Sequence, residues 1–200
     1  MKESTQTANT FVRGARRVLP HFDWRASPEV TPAGDVGPDR AGRPEVLGVN
    51  HVGLAARDPA RLAEFYRDVL GLEIVGGSPA TNEFGATAFL KGRASQESHQ
   101  LVFFASPQFR HTAFRVETLN DLRRFHRLIR DRGVPIEASF NHGASLAFYF
   151  RDPEENLIEI YWDTGARNHQ PYGDPLDLTQ PEEALLQGVA AIAGPGTPAS

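Results

Sequence analysis

His51 and His111 stand sixty residues apart, and each opens a similar stretch, HVGLAARDPARLAEFYRDVLGLEIV from His51 and HTAFRVETLNDLRRFHRLIRDRGVPIE from His111. Glu159 follows in the run LIEIYW, a charged residue among Leu157, Ile158, Ile160, Tyr161 and Trp162. Burying that carboxylate alone would cost several kcal/mol or force its protonation, whereas a divalent ion offsets the cost directly. A single histidine at a strand start is more often a core or surface residue than a ligand. Two histidines at matching positions of a repeat, with one carboxylate late in the second copy, point instead to a protein-made facial triad. Two neutral imidazoles and a carboxylate on one face leave coordination positions open, which suits non-haem Fe(II) chemistry with oxygen, with Mn(II) the next candidate.

The elements that hold these residues can be read from spacing. LGVNHVGLAA forms a short buried strand, and Asp58 followed by Pro59 starts a helix. Leu62, Phe65, Tyr66, Val69 and Leu70 are expected on the buried face of that helix, with Gly71 as its stop. LEIVGG, EFGATAFLKG and HQLVFFAS follow as three further strands. The second copy repeats the order. HTAFRV is the strand, Thr118 or Asn120 the helix cap, and Leu122, Phe125, Leu128 and Ile129 the buried face. Gly133 is the stop, Pro135 lies just beyond, and VPIEASF, SLAFYFRD and LIEIYWD supply three more strands.

An α+β fold is therefore expected, in which paired βαβββ modules, residues 46–105 and 109–163, form one curved, barrel-like sheet of eight strands with two helices. Pseudo-twofold symmetry would bring equivalent strands, and with them His51 and His111, onto a shared concave surface. Residues 1–45, with Pro20, Pro28, Pro32, Pro38 and Pro44, read as an extended flexible arm. The tail, residues 164–200, is Pro- and Gly-rich; Thr179 and Glu182 have capping-box spacing ahead of a short helix carrying Ala184, Leu185, Leu186 and Val189.

The 200 residues and 22.0 kDa suit one domain with tails. A net charge of -4, from 21 basic and 25 acidic residues, offers no basic field for nucleic acid. The absence of Cys removes thiolate ligands and cysteine nucleophiles, leaves His, Asp and Glu as metal ligands, and agrees with a reducing cytoplasm. No apolar run approaches the ~18 residues of a membrane span, and the N-terminus has no secretory apolar segment. A cytoplasmic homo-oligomer is expected, with a homodimer as the default.

The segment from His51 to Gly71, the HTAFRV start of the second copy and the run YFRDPEENLIEIYWD together resemble the vicinal oxygen chelate superfamily, which includes glyoxalases, extradiol dioxygenases and fosfomycin- and bleomycin-resistance proteins. That resemblance implies the paired modules and a metal held by His51, His111 and Glu159. His142 and Tyr149, in NHGASLAFYFRDP, resemble the corresponding residues of small single-domain type I extradiol dioxygenases of the catechol 2,3-dioxygenase kind. By that likeness the chain would take a small aromatic substrate and O2 as partners and open a catechol ring with Fe(II) and no organic cofactor. His142 would shuttle protons, and Tyr149 would bond the substrate oxygen on iron. The segment PYGDPLDL, with His169 and Tyr172 at its head, resembles the C-terminal segment of such proteins and would cap the pocket mouth. Phe103, Phe148, Tyr161 and Trp162 are available as aromatic lining.

Two departures bear on the reading. Glu155 stands in the Asp152–Asn156 turn where the pattern has a glycine able to take positive φ. Glyoxalase I-like enzymes take a fourth ligand from the last strand of the first unit, where HQLVFF has no carboxylate. A strict sixty-residue offset pairs His99 with Glu159, making His99 a candidate fourth ligand. Longer loops in the second unit are expected to break that register and set Leu101 or Val102 there. Two alternatives remain beside the dioxygenase, namely another metal enzyme of the fold (glyoxalase, epimerase or thiol transferase) and a non-catalytic binder of small aromatics. The particular catechol is not legible, because pocket shape comes from loops.

Overall fold

The computed structural model describes residues 42–168 and 170–193. Most of the expected N-terminal arm, and His169, lie outside the described residues. The first module contains β1 (Gly48–Ala55), α1 (Pro59–Leu70), β2 (Glu73–Ser78), β3 (Thr87–Lys91) and β4 (Leu101–Phe104). A single 3-10 turn, Pro107–Phe109, leads to β5 (His111–Val116), α2 (Leu119–Asp131), β6 (Ile136–Asn141), β7 (Ser145–Arg151) and β8 (Leu157–Asp163). The tail adds β9 (Asp174–Pro175) and α3 (Glu182–Ala193).

Local chemistry accounts for the boundaries. Asp58 Oδ1 accepts the Arg61 amide at 3.0 Å and Thr118 Oγ1 accepts the Asp121 amide at 3.1 Å, so each helix begins on a side-chain cap. Gly71 (φ 71°) ends α1 in the left-handed region that glycine enters without strain. Asp152 Oδ1 accepts the amides of Glu154 and Asn156, both at 2.9 Å, and this turn forces Glu155 to φ 66°. Glu155 is the one non-glycine residue at positive φ among the described residues, and it takes the conformation that the glycine of the pattern would take.

The strands form a single curved sheet in the order β2-β3-β4-β1-β5-β8-β7-β6-β9. The modules meet at its centre, where β1 and β5 run antiparallel. Each module then pairs its first strand parallel with its last, β1 with β4 and β5 with β8. Eight of the nine strands are those expected. The ninth is two residues of the tail that pair with β6 at Phe140↔Pro175 and Asn141↔Asp174, giving an edge strand a partner.

One face of the sheet is covered by helices. In the second module Val116, Leu119, Leu122, Leu146 and Phe148 form a core with Leu185 and Val189 of α3. In the first module the buried cluster is smaller, formed by Ala63, Ala88, Leu90 and Phe103, with Leu62 and Tyr66 half-buried against it. The expected buried face of α1 is only partly realised, since Phe65, Val69 and Leu70 are 55%, 61% and 60% exposed. The helix rests on the sheet along its Leu62–Ala63–Tyr66 edge, so the apolar stripe is wider than the contact. No helix among the described residues is long and apolar enough to cross a membrane.

Candidate metal centre

Register carries the functional side chains to one place. His51 of β1 pairs with Ala113 of β5, Ala113 pairs with Glu159 of β8, and Glu159 pairs with Tyr149 of β7. These four residues form a row across the sheet, and laterally paired residues point to the same face. The symmetry-related row runs the other way: His111 pairs with Gly53, Gly53 with Val102 of β4, and Val102 with Phe89 of β3. Glu159 therefore corresponds to Val102 and Tyr149 to Phe89.

The two histidines sit diagonally across the β1/β5 pair, each opposite a small residue. A Cβ at Gly53 would lie 2.8 Å from His111 Nδ1 and 3.0 Å from Phe104 Cε2, so that position admits only glycine while His111 keeps its place. The sequence reading passed over Gly53. A glycine inside a strand, two residues after a candidate ligand, was the available signal of a close approach.

The three expected ligand groups converge. His51 Nε2 lies 3.1 Å from His111 Nε2 and 3.1 Å from Glu159 Oε2, and His111 Nε2 lies 3.2 Å from the same oxygen. Adjacent ligands of an octahedral ion at about 2.1 Å are about 3.0 Å apart, close to this spacing. His111 Nδ1 is 2.7 Å from the Phe109 carbonyl, which can only accept, so Nδ1 carries the proton and Nε2 presents its lone pair inward. Lone pairs of an imidazole and a carboxylate facing each other need a positive charge between them. The donor set fits a divalent ion, and Glu159, 3% exposed, supplies the anionic member.

Electrostatics agree. Burial alone would raise the Glu159 carboxyl, but His51 and His111 outweigh it and hold the group well below the usual carboxylate range. Burial would lower His111, yet Glu159 and the Phe109 carbonyl hold it above the ordinary imidazole value.

Three more polar groups border the triad. Tyr149 OH lies 3.1 Å from His142 Nε2, while His142 Nδ1 is 2.5 Å from the Tyr172 carbonyl. Because that carbonyl can only accept, Nδ1 carries the proton and donates, and neutral His142 accepts from Tyr149 at Nε2. Burial lowers His142, and burial with the nearby Glu159 charge pushes the Tyr149 phenol well up. The tail grips this corner, as Gln170 Nε2 donates to the His142 carbonyl at 2.9 Å. On the opposite side His99 packs its ring 4.3 Å from that of His51, and burial, reinforced by His51, keeps it neutral.

His99 stands beside the triad rather than within it; the ligand atoms that lie within 4.8 Å of one another belong to His51, His111 and Glu159. The apolar residue at the fourth position is Val102, as expected, but the reason is the reverse of the expected one. Phe89 and Val102 are thirteen residues apart and Tyr149 and Glu159 ten, so the first module has the longer loop. The aromatic lining also differs. Phe103 and Phe148 are fully buried on the helix-covered face, because they alternate with Val102 and Tyr149 along their strands. Trp162 packs against the second core, whereas Tyr161 stays near His51 at 5.3 Å between ring centroids. The rings that border the site instead are Phe89 against His99, Phe104 against His111, and Phe140 against His142 and Tyr149.

Residues 48–160 match the Glyoxalase/Bleomycin resistance protein/Dioxygenase superfamily, more than half of the chain. The chain belongs to that superfamily. Among its relatives, biphenyl-2,3-diol 1,2-dioxygenase 3 of Rhodococcus globerulus is 29% identical over 128 residues, covering 58% of this chain and 63% of the relative. A manganese-dependent 2,3-dihydroxybiphenyl 1,2-dioxygenase of Geobacillus genomosp. 3 is 28% identical over 124 residues, 60% of this chain and 38% of the relative. The chain thus spans less than two thirds of the length of either. Two solved superfamily structures share the fold. The 2,3-dioxygenase LapB from Pseudomonas sp. KL28 has a TM-score of 0.51 at 20% identity, over 66% of this chain and 46% of its own. The Mn(II)-bound glyoxalase from Novosphingobium aromaticivorans has a TM-score of 0.51 at 20% identity, over 64% and 42%.

Proposed function

We propose that this protein is a metal-dependent extradiol dioxygenase that opens a catechol-type aromatic with O2, with Fe(II) as the ion and Mn(II) as the alternative. The convergence of His51, His111 and Glu159 beside the Tyr149–His142 pair carries the reading, and the two diol dioxygenase relatives support it. A divalent ion held by the triad would lower the pKa of a bound diol and leave coordination positions open to both reactants.

The chain's own groups divide the remaining work. Tyr149, uncharged and buried, is placed to hydrogen-bond a substrate hydroxyl and to take its proton while passing its own to His142, a relay that leaves the phenol neutral. His142 is thus an acceptor first and becomes an acid only after taking that proton, which refines the simple shuttle implied by resemblance. His99 offers a second neutral imidazole across the site. Val102, Phe89 and Phe104 supply an apolar wall suited to a flat ring and to keeping water out. A glyoxalase-type reading would be favoured by a fourth protein ligand; Val102 cannot be one, and His99 stands beside the triad.

Anaerobic loading with Fe(II) or Mn(II), followed by oxygen uptake and ring-fission absorbance with a panel of catechols, tests the proposal. Uptake should be stoichiometric with ring opening, and His142→Gln should lower turnover by about 10²–10⁴-fold with metal content unchanged. Metal bound without oxygen uptake on any catechol would sink the dioxygenase. Self-association as a homodimer belongs to the same proposal, and sedimentation of the full chain reads it directly.

A further inference from the structure

His111 and His51 are held in different ways. A carbonyl bonds the far nitrogen of His111 and fixes its ring, the usual outer-shell support of a metal-binding imidazole. His51, besides the edge contact with His111 itself, is instead flanked by two rings, His99 at 4.3 Å and Tyr161 at 5.3 Å between centroids. Both of those rings are tied to one carboxylate. Glu97 Oε2 accepts from Tyr161 OH at 3.2 Å, and Glu97 lies two residues before His99 in the long β3–β4 loop. Its other oxygen, Oε1, accepts from Arg115 Nη1 at 2.7 Å and from Asn50 Nδ2 at 2.8 Å, and Asn50 is the chain neighbour of His51.

We infer that Glu97 is the positioning residue for His51, a mostly buried carboxylate that clamps the loop of the first module onto β5 and β8 of the second and so fixes the His51 ring from both neighbours. The role rests on the reading of His51 as a ligand, but the clamp itself is a property of the polypeptide. Several details fit a clamp better than a surface ion pair. The Glu97 side chain is mostly buried, and it joins its own loop to three other elements, namely β1, β5 and β8. Arg115 Nε is buried with no partner among the described residues, and its Nη1 is held by Glu97, so this carboxylate anchors a guanidinium that is 33% exposed. The loop backbone is pinned as well, with Lys91 Nζ donating to the carbonyls of Ser95 at 3.3 Å and Glu97 at 3.4 Å. The three extra residues between Phe89 and Val102 are what let this loop reach across the module boundary.

The test compares wild type with Glu97→Ala and Glu97→Gln, the latter keeping an acceptor for Arg115 and carrying the test if the alanine variant does not fold. In the metal-free proteins, NMR reads the His51 imidazole resonances, and hydrogen exchange reads the amides of residues 97–100. Co(II) then serves as the probe ion in a competition titration. Glu97→Ala should move the His51 resonances, speed exchange in the loop while leaving α3 unchanged, and weaken Co(II) binding about 10–100-fold; Glu97→Gln should fall between. Unmoved His51 resonances with unchanged Co(II) affinity would overturn the inference, and so would faster exchange spread evenly through the sheet with His51 unmoved. Wild-type protein that takes up no Co(II) would refute the ligand reading separately, leaving the clamp to be decided by the His51 resonances.

Discussion

The outer strands of the second module carry Glu159 and Tyr149 at the positions where those of the first carry Val102 and Phe89. Around them the scaffold is the same, with one histidine per module and a small residue, Ala113 or Gly53, opposite each histidine. Duplication supplied two equivalent imidazoles at no extra cost in fold. The carboxylate and the phenol stand on one side, and Val102 and Phe89 hold the matching positions on the other, where His99 packs against Phe89. A single ion needs one anionic ligand and open positions, and a second carboxylate at Val102 would fill one of them. The asymmetry thus divides the concave face into a half that carries Glu159, Tyr149 and His142 and a more apolar half that carries Val102, Phe89 and the neutral ring of His99.

The helix-covered face differs in the same sense. α2 is sealed by α3, whereas α1 leaves Phe65, Val69 and Leu70 open. Stability should therefore be distributed unevenly between the modules.

Copying Glu159 onto the first module is the harshest way to break the comparison. Val102→Glu buries an unpaired carboxylate and should cost the metal-free protein about 3–5 kcal/mol in denaturant unfolding, part of it recovered on adding a divalent ion. An unchanged melt would mean that Val102 does not face the site. The two helices give a milder contrast. Leu122→Ala, at a fully buried position, should cost about 2–5 kcal/mol, and Phe65→Ser should stay within about 0.5 kcal/mol. Equal losses would show that α1 is covered in solution.

The caps, the period-2 strands and the equivalence of His51 and His111 were legible because each depends on near neighbours in sequence. Glu159 was legible because a charge inside LIEIYW conflicts with its surroundings. Pairing across the sheet was not legible. The counterpart of Glu159 is Val102 rather than His99 because the first module has three more residues between the paired positions of β3 and β4 than the second has between those of β7 and β8, and loop length leaves no periodic trace. Gly53, Glu97 and the Tyr172 carbonyl escaped notice for a related reason, since each acts on a histidine through contacts that only the folded register creates.

The turns allow a finer comparison. Glu155 occupies φ 66° in the short β7–β8 turn, and Glu155→Gly should stabilise the protein by about 1 kcal/mol, read as a raised melting temperature. A lowered melting temperature would imply that the side chain contributes more than its strain. The smallest effect concerns α2, where His126 lies at the position Tyr66 holds in α1, each with a ring edge against a core phenylalanine. Burial, with Arg130 and Arg127 adding and Asp177 opposing, lowers His126 below the ordinary imidazole value. The unfolded chain then binds the proton more readily, so this residue's contribution to stability falls as pH drops below about 6.5. His126→Tyr should make the loss of stability between neutral and mildly acidic pH shallower, and an unchanged slope would exclude His126 as its source.

Metal content after anaerobic loading and exhaustive dialysis tests the central claim most directly. Wild-type protein should retain one divalent ion per chain, and His51→Ala, His111→Ala and Glu159→Ala should each lose it while keeping the folded circular dichroism spectrum. A triple variant that stays fully metallated would contradict the site.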